Sequence, residues 1–292
     1  MNILKVENLS LQYGSQKILN HISFNIKKGQ IIGLLGPNGA GKSSVIKILA
    51  GLVFPKTGKV VFDKIVKNTF SELRDHCGYL IDSPAFYPFL TARQNLHLLK
   101  KINKSKSDID LLLQKVGLPD VNKKKVKHFS TGMKQRLAIA NSMLRNPEIL
   151  ILDEPFNGLD PNGFQDLTLL LHTLNKNGTT IIVSSHLLNE LEQFADSFIL
   201  LHKGNIALTI TKKELVKTKK KVAFTFESKP SNEVVDYLNK MNVEFEDPTK
   251  IILHLNPEDI AMVVNQLVKL KNTPVNVETL NILQEKYLEI TV

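Results

Sequence analysis

From about residue 30 to about residue 210, short apolar runs alternate with stretches in which apolar positions recur every three or four residues. That alternation predicts an α/β domain on a largely parallel sheet, because buried parallel strands read as unbroken apolar runs and their crossovers as amphipathic helices. The predicted strands are 30–35, 77–81, 149–152, 179–183 and 198–202. Ahead of them, 3–9 and 22–26 alternate apolar and polar residues in the manner of antiparallel strands, with Tyr13 and Gly14 near the turn. Between Leu90 and Arg145 the strand pattern stops. Leu96, Leu99, Ile102, Leu113 and Val116 fall at helical spacing there, which predicts a helical subdomain inserted at 83–146.

The run KKELVKTKKK at 212–221 marks a change of charge and reads as a linker. Beyond it the pattern predicts strand 222–226, helix 232–241, strands 243–245 and 251–255, helix 258–270, strand 275–277 and a last helical turn near 280–288. That order suggests a small α+β domain of ferredoxin-like type. The expected division is a main domain over 1–215 and an accessory domain over 216–292.

Composition narrows the class. Of 292 residues, 42% are hydrophobic and 23% charged, ordinary globular proportions that exclude long disorder and fibrous repeats. A single cysteine, Cys77, excludes an internal disulfide framework and fits a reducing compartment. The opening MNILKVENLS lacks the apolar core of a signal peptide, and no apolar run is long enough to cross a bilayer, so a cytoplasmic protein is expected. The net charge of +10 is uneven: residues 221–292 carry 7 basic and 11 acidic side chains, −4, leaving +14 on the rest. The 9 lysines between Lys100 and Lys127 have no aromatic residue among them, so they read as a solvated face rather than a single-strand stacking platform.

The strand at 30–35 runs into GPNGAGKSS, that is Gly36, Pro37, Asn38, Gly39, Ala40, Gly41, Lys42, Ser43 and Ser44. This satisfies G-x-x-x-x-G-K-[ST] in the context the motif needs, strand before and helix after. Its glycines let successive amides point at phosphate oxygens, and the following helix directs its positive end the same way. Lys42 can reach the β- and γ-phosphates, and the Ser43 hydroxyl can ligate Mg2+. A second half-site is ILILDEP, where Asp153 ends a buried strand and can hold Mg2+ through water, and Glu154 is placed to polarise an attacking water as general base.

HFSTGMKQRLAIANSML at 128–144 resembles the LSGGQ signature and basic, alanine-rich helix of the ATP-binding subunits of ABC transporters. The order of motifs is also that family's: P-loop, signature, Asp-Glu strand, NGLDP at 157–161, and SSH ending at His186. The resemblance spans about residues 1–215. It implies an ABC-type ATPase that binds ATP and Mg2+ in a head-to-tail dimer, homodimer or heterodimer, each nucleotide lying between one subunit's P-loop and the other's Ser130 and Gly132. It further implies that Tyr13 stacks on adenine, that Asp160 crosses the dimer interface, and that His186 holds the γ-phosphate and the attacking water.

Two departures matter. Thr131 and Met133 stand in for family residues of the signature, while Ser130 and Gly132 keep its hydroxyl and amide donors. In GYLIDSPAFYPFLTARQNL, Asp82 stands where many family members carry Gln, and an acid there resembles the bacitracin- and lantibiotic-type exporter subunits. Asp82 is accordingly expected as a water-bridged Mg2+ ligand. The function implied is the motor of an ABC export system acting on a separate transmembrane permease, peripheral on the inner face of the cell membrane, for peptide antibiotic export or immunity. The alternative reading is a soluble ABC ATPase acting on nucleic acid or ribosomes. It draws on the basic charge, but the chain holds one cassette and neither zinc-type cysteine pairs nor heptads, so no nucleic acid is expected.

Overall fold

The computed structural model describes residues 1–62, 76–82, 85–118, 123–241 and 243–291. The chain divides into two compact units, Met1–Thr209 and Ile210–Val292.

In the first unit, β1 (Asn2–Tyr13) and β2 (Gln16–Lys27) pair antiparallel, and β4 (Thr57–Phe62) pairs antiparallel along the other side of β1. The main sheet contains β3 (Ile31–Leu35), β5 (Cys77–Leu80), β6 (Ile149–Leu152), β7 (Thr180–Ser185), β8 (Ser197–His202) and β9 (Asn205–Thr211), in the order β5-β6-β7-β3-β8-β9. The first five of these strands run parallel. Every residue of β3, β6 and β7 is buried, which accounts for their unbroken apolar sequences. Apolar residues of the antiparallel sheet, of the main sheet and of α1 (Lys42–Leu49) form one continuous core.

The inserted segment is helical. It holds α2 (Ala92–Ile102), started by a Thr91–Gln94 capping box, α3 (Ile109–Lys115), capped by Asp108, and α4 (Thr131–Ser142), capped by Ser130. Ser83 and Pro84, at the start of the subdomain expected over 83–146, lie outside the described residues, as do 119–122. Helices α5 (Pro161–Lys176) and α6 (Leu188–Phe194) follow β6 and β7. Two strands were not expected. β4 and β9 are each half exposed along most of their length, so neither carries the apolar run that marks the buried strands. No helix among the described residues is long and apolar enough to cross a membrane.

The second unit opens with a correction. Part of the lysine run read as a linker is a helix, α7 (Lys212–Lys217), nucleated by a capping box in which Thr211 Oγ1 accepts from Glu214 N at 3.2 Å and the Glu214 carboxylate accepts from Thr211 N at 2.9 Å. Next come β10 (Lys220–Thr225), α8 (Asn232–Asn239), β11 (Glu244–Asp247), β12 (Lys250–Leu255), α9 (Pro257–Lys269) and β13 (Asn276–Leu280). The antiparallel order β11-β12-β10-β13 is the ferredoxin-like arrangement. Val222, Phe224 and Leu253 of the sheet pack against Val234 of α8 and Leu267 of α9, and α10 (Ile282–Thr291) is the last described element.

Candidate nucleotide site

At the end of β3 the chain turns through Gly36 and Gly41, with φ of 151° and 110°, into α1. A Cβ at Gly36 would stand 2.4 Å from the Leu201 carbonyl oxygen, and one at Gly41 would stand 2.7 Å from Leu19 Cδ2. The turn is therefore pressed onto β8 and β2, and only glycine fits it. Lys42 is buried. Its Nζ donates to the carbonyls of Gly36 at 2.8 Å and Pro37 at 3.3 Å and lies 3.5 Å from Glu154 Oε1. The loop thus folds around its own ammonium, which stands where incoming phosphate oxygens would find it.

Asp153 and Glu154 leave the carboxyl end of β6, one strand from β7 and two from β3. Parallel register puts Leu152 beside Val183, so Asp153 comes next to Ser184. The Ser184 hydroxyl donates to Asp153 Oδ1 at 2.5 Å and accepts from Glu154 N at 2.8 Å. Glu154 has a φ of 47°, a left-handed conformation that a non-glycine residue keeps only where neighbours hold it. At the end of β7, His186 Nδ1 lies 2.9 Å from Glu154 Oε2. Lys42, Glu154 and His186 are linked in a chain of contacts across three strand ends, the place where open α/β sheets bind ligands.

Ser43, Asp82, Asp153 and Glu154 line one cleft of about 560 Å³. Asp82 is mostly exposed, has a φ of 56°, and its Oδ2 is 3.9 Å from Lys47 Nζ. A second cleft, of about 640 Å³, gathers Ser130, Gly132 and Asp160. Ser130 Oγ accepts from Met133 N at 3.2 Å, which leaves its hydroxyl hydrogen to donate outward. Asp160 Oδ1 accepts from Gly163 N at 2.8 Å and caps α5. Within one chain, then, Ser43 of the P-loop faces the first cleft and Ser130 and Gly132 face the second, while Thr131 and Gln135 line both. Tyr13, at the end of β1, is about half exposed and lines neither.

Residues 19–157 match the family model of the ABC transporter domain. Over 207 residues the chain is 44% identical to the lantibiotic transport ATP-binding protein SrtF of Streptococcus pyogenes, covering 70% of this chain and 90% of SrtF. The chain belongs to the ABC transporter ATP-binding proteins. This ABC ATPase is also 43% identical over 223 residues to the bacitracin transport ATP-binding protein BcrA of Bacillus licheniformis, covering 75% of this chain and 73% of BcrA. Among solved structures it resembles a dimeric ATP-binding cassette in a post-hydrolysis state bound to ADP and Pi, at 28% identity and a TM-score of 0.63, covering 72% of this chain and 98% of that one. As a member of this family it binds and hydrolyses ATP.

Two features of the ABC ATPase site were not read from the sequence. Ser184 ties the two acids together, and its only sequence trace is the serine pair ahead of His186. Thr131, Lys134 and Gln135 of α4 also line the P-loop cleft of their own chain, a placement that depends on how the helical subdomain packs. The oxygen donors of that cleft are the hydroxyls of Ser43 and Thr131, the carboxylates of Asp82, Asp153 and Glu154, and the side-chain amides of Gln135 and Asn157, all hard oxygens. No group of three or more His, Cys, Asp or Glu able to hold a metal alone occurs among the described residues. Such a set suits Mg2+, which takes one or two protein oxygens and completes its shell with phosphate and water.

Proposed function

We propose that this ABC ATPase is the motor of an export system that expels a peptide antibiotic or a similar amphiphile, or protects the cell against it. It works as a dimer docked on a separate transmembrane permease at the inner face of the membrane. The observation that carries the reading is the contact chain Lys42–Glu154–His186, with Asp153 and Glu154 locked together by Ser184 at the mouth of the P-loop. The substrate class rests on the relatives, SrtF and BcrA, whose names are those of lantibiotic and bacitracin transport proteins.

The site residues divide the work. Lys42 leaves the Gly36 and Pro37 carbonyls for the β- and γ-phosphates, and the amides from Gly39 to Ser44 cradle the rest. Ser43 and Asp153 would hold Mg2+, with Asp82 reaching it through water; the ion supplies charge neutralisation at the phosphates. Glu154 takes a proton from the attacking water, and His186 orients the carboxylate through Oε2. Ser130 and Gly132 of the second subunit close over the γ-phosphate, and Asp160 reaches across the interface. The placement of Ser43, Asp153 and Glu154 on one cleft and of Ser130, Gly132 and Asp160 on the other supports this division. Tyr13 is exposed, as stacking on adenine requires.

Deleting the chain in its own cell tests the substrate class: sensitivity to lanthionine peptides or bacitracin should rise. Unchanged sensitivity across a panel of such peptides would overturn that class. Asp82→Ala should raise the Mg2+ concentration needed for half-maximal hydrolysis, and equal dependence in both proteins would remove Asp82 from the metal's surroundings. Salt-steep binding to RNA would revive the nucleic-acid reading.

A further inference from the structure

Ser185 is buried and immediately precedes His186. Its hydroxyl oxygen accepts from Leu187 N at 2.9 Å, closing a turn with His186 in the middle. The hydroxyl donates to Glu190 Oε2 at 3.0 Å, and the Leu187 carbonyl, at 3.4 Å, is its weaker alternative acceptor. Glu190 sits in the first turn of α6, and α6 packs on β3 and β7, the strands that deliver the P-loop and His186. From the other side, Glu154 Oε2 holds the His186 ring.

We propose that Glu190 is a positioning residue for ATP hydrolysis: acting through Ser185, it fixes the turn that carries His186 and so sets where the imidazole meets Glu154. This rests on the reading of Glu154 and His186 as the hydrolytic pair. With Glu190 present, the Ser185 hydroxyl has a strong, charge-assisted acceptor and one orientation. Without it, the hydroxyl turns to the longer Leu187 contact, the turn loosens, and the ring loses its fixed place. Glu190 occupies this position at a cost, because burial pushes its carboxyl up despite the Ser185 hydrogen bond and the nearby His186. An acid serving only the helix dipole would sit as well on the open side of α6, and its effect would not depend on His186.

The test is steady-state ATP hydrolysis by the full chain carrying Glu190→Ala, Glu190→Gln or Ser185→Ala, each alone and combined with His186→Ala. Glu190→Ala and Ser185→Ala should each lower kcat by about 10- to 100-fold, with KM for ATP within about twofold. Glu190→Gln keeps an amide oxygen for the Ser185 proton and should recover most of that loss. Added to His186→Ala, Glu190→Ala should cost nothing further. Wild-type kcat in Glu190→Ala, no recovery in Glu190→Gln, or a full multiplicative loss on top of His186→Ala would each overturn the proposal while leaving the hydrolytic pair intact. Wild-type turnover in His186→Ala would overturn the pair itself and the proposal with it. Should Glu190→Ala fail to fold, Ser185→Ala, which deletes one buried oxygen, carries the same comparison.

Discussion

Ser184→Ala is the substitution whose cost the structure defines best. The side chain is wholly buried, donates to Asp153 Oδ1 at 2.5 Å and accepts from Glu154 N at 2.8 Å. Removing it costs one hydrogen bond to a carboxylate, about 1.5–3 kcal/mol, and leaves the Glu154 amide short of an acceptor, for roughly another 1 kcal/mol. The sum is about 2.5–4 kcal/mol. In a unit of Met1–Thr209 a loss of that size lowers Tm by roughly 5–15 °C. The same contacts hold Glu154 at a φ of 47°, so the backbone relaxes and the carboxylate moves off line. A displacement near 1 Å costs about 100-fold in turnover. Differential scanning fluorimetry gives the first number and phosphate release the second. A Tm within about 1 °C of wild type together with turnover within about twofold would refute the reasoning, because it would mean that Ser184 neither supports the turn nor places the base.

Other outcomes follow from single contacts. Glu154→Gln should keep ATP binding and lose about 10²–10⁴ in turnover, read by single-turnover hydrolysis; wild-type-like rates would remove the base from Glu154. Gly36→Ala should abolish nucleotide binding in a fluorescence titration, since its Cβ would lie 2.4 Å from the Leu201 carbonyl oxygen; normal affinity would mean that the loop can back away from β8. Burial pushes the Cys77 thiol up to about 12, so at pH 8 it stays protonated and should react with an aromatic disulfide reagent only as fast as the chain unfolds. Rapid labelling of the folded protein would contradict the packing of β5.

What the sequence disclosed and what it withheld divide along the range of the interactions involved. The P-loop was legible because its glycine spacing, its lysine and the strand before it lie within a few consecutive residues. β6 and β7 were legible because burial on both faces leaves an apolar run. β4 and β9 were not, since strands half open to solvent carry little apolar signal. α7 was hidden by its lysines, although the Thr211–Glu214 capping box that starts it straddles the beginning of that run. Ser184 was illegible for a different reason: its partners are 31 and 30 residues away in the chain, and only the parallel register of β6 and β7 brings them together. The gathering of Ser130, Gly132 and Asp160 around a cleft of their own likewise depends on how α4 meets the start of α5.

The central claim is that hydrolysis at the Lys42–Glu154–His186 cluster drives a permease in another polypeptide. Tagging the chain in its own cell, solubilising the membranes gently and identifying what co-purifies tests it most directly. The account predicts a polytopic membrane protein at near-equal stoichiometry, retained by the Glu154→Gln variant in the presence of ATP. Recovery of the chain only from the soluble fraction, carrying RNA or ribosomal proteins, would contradict it.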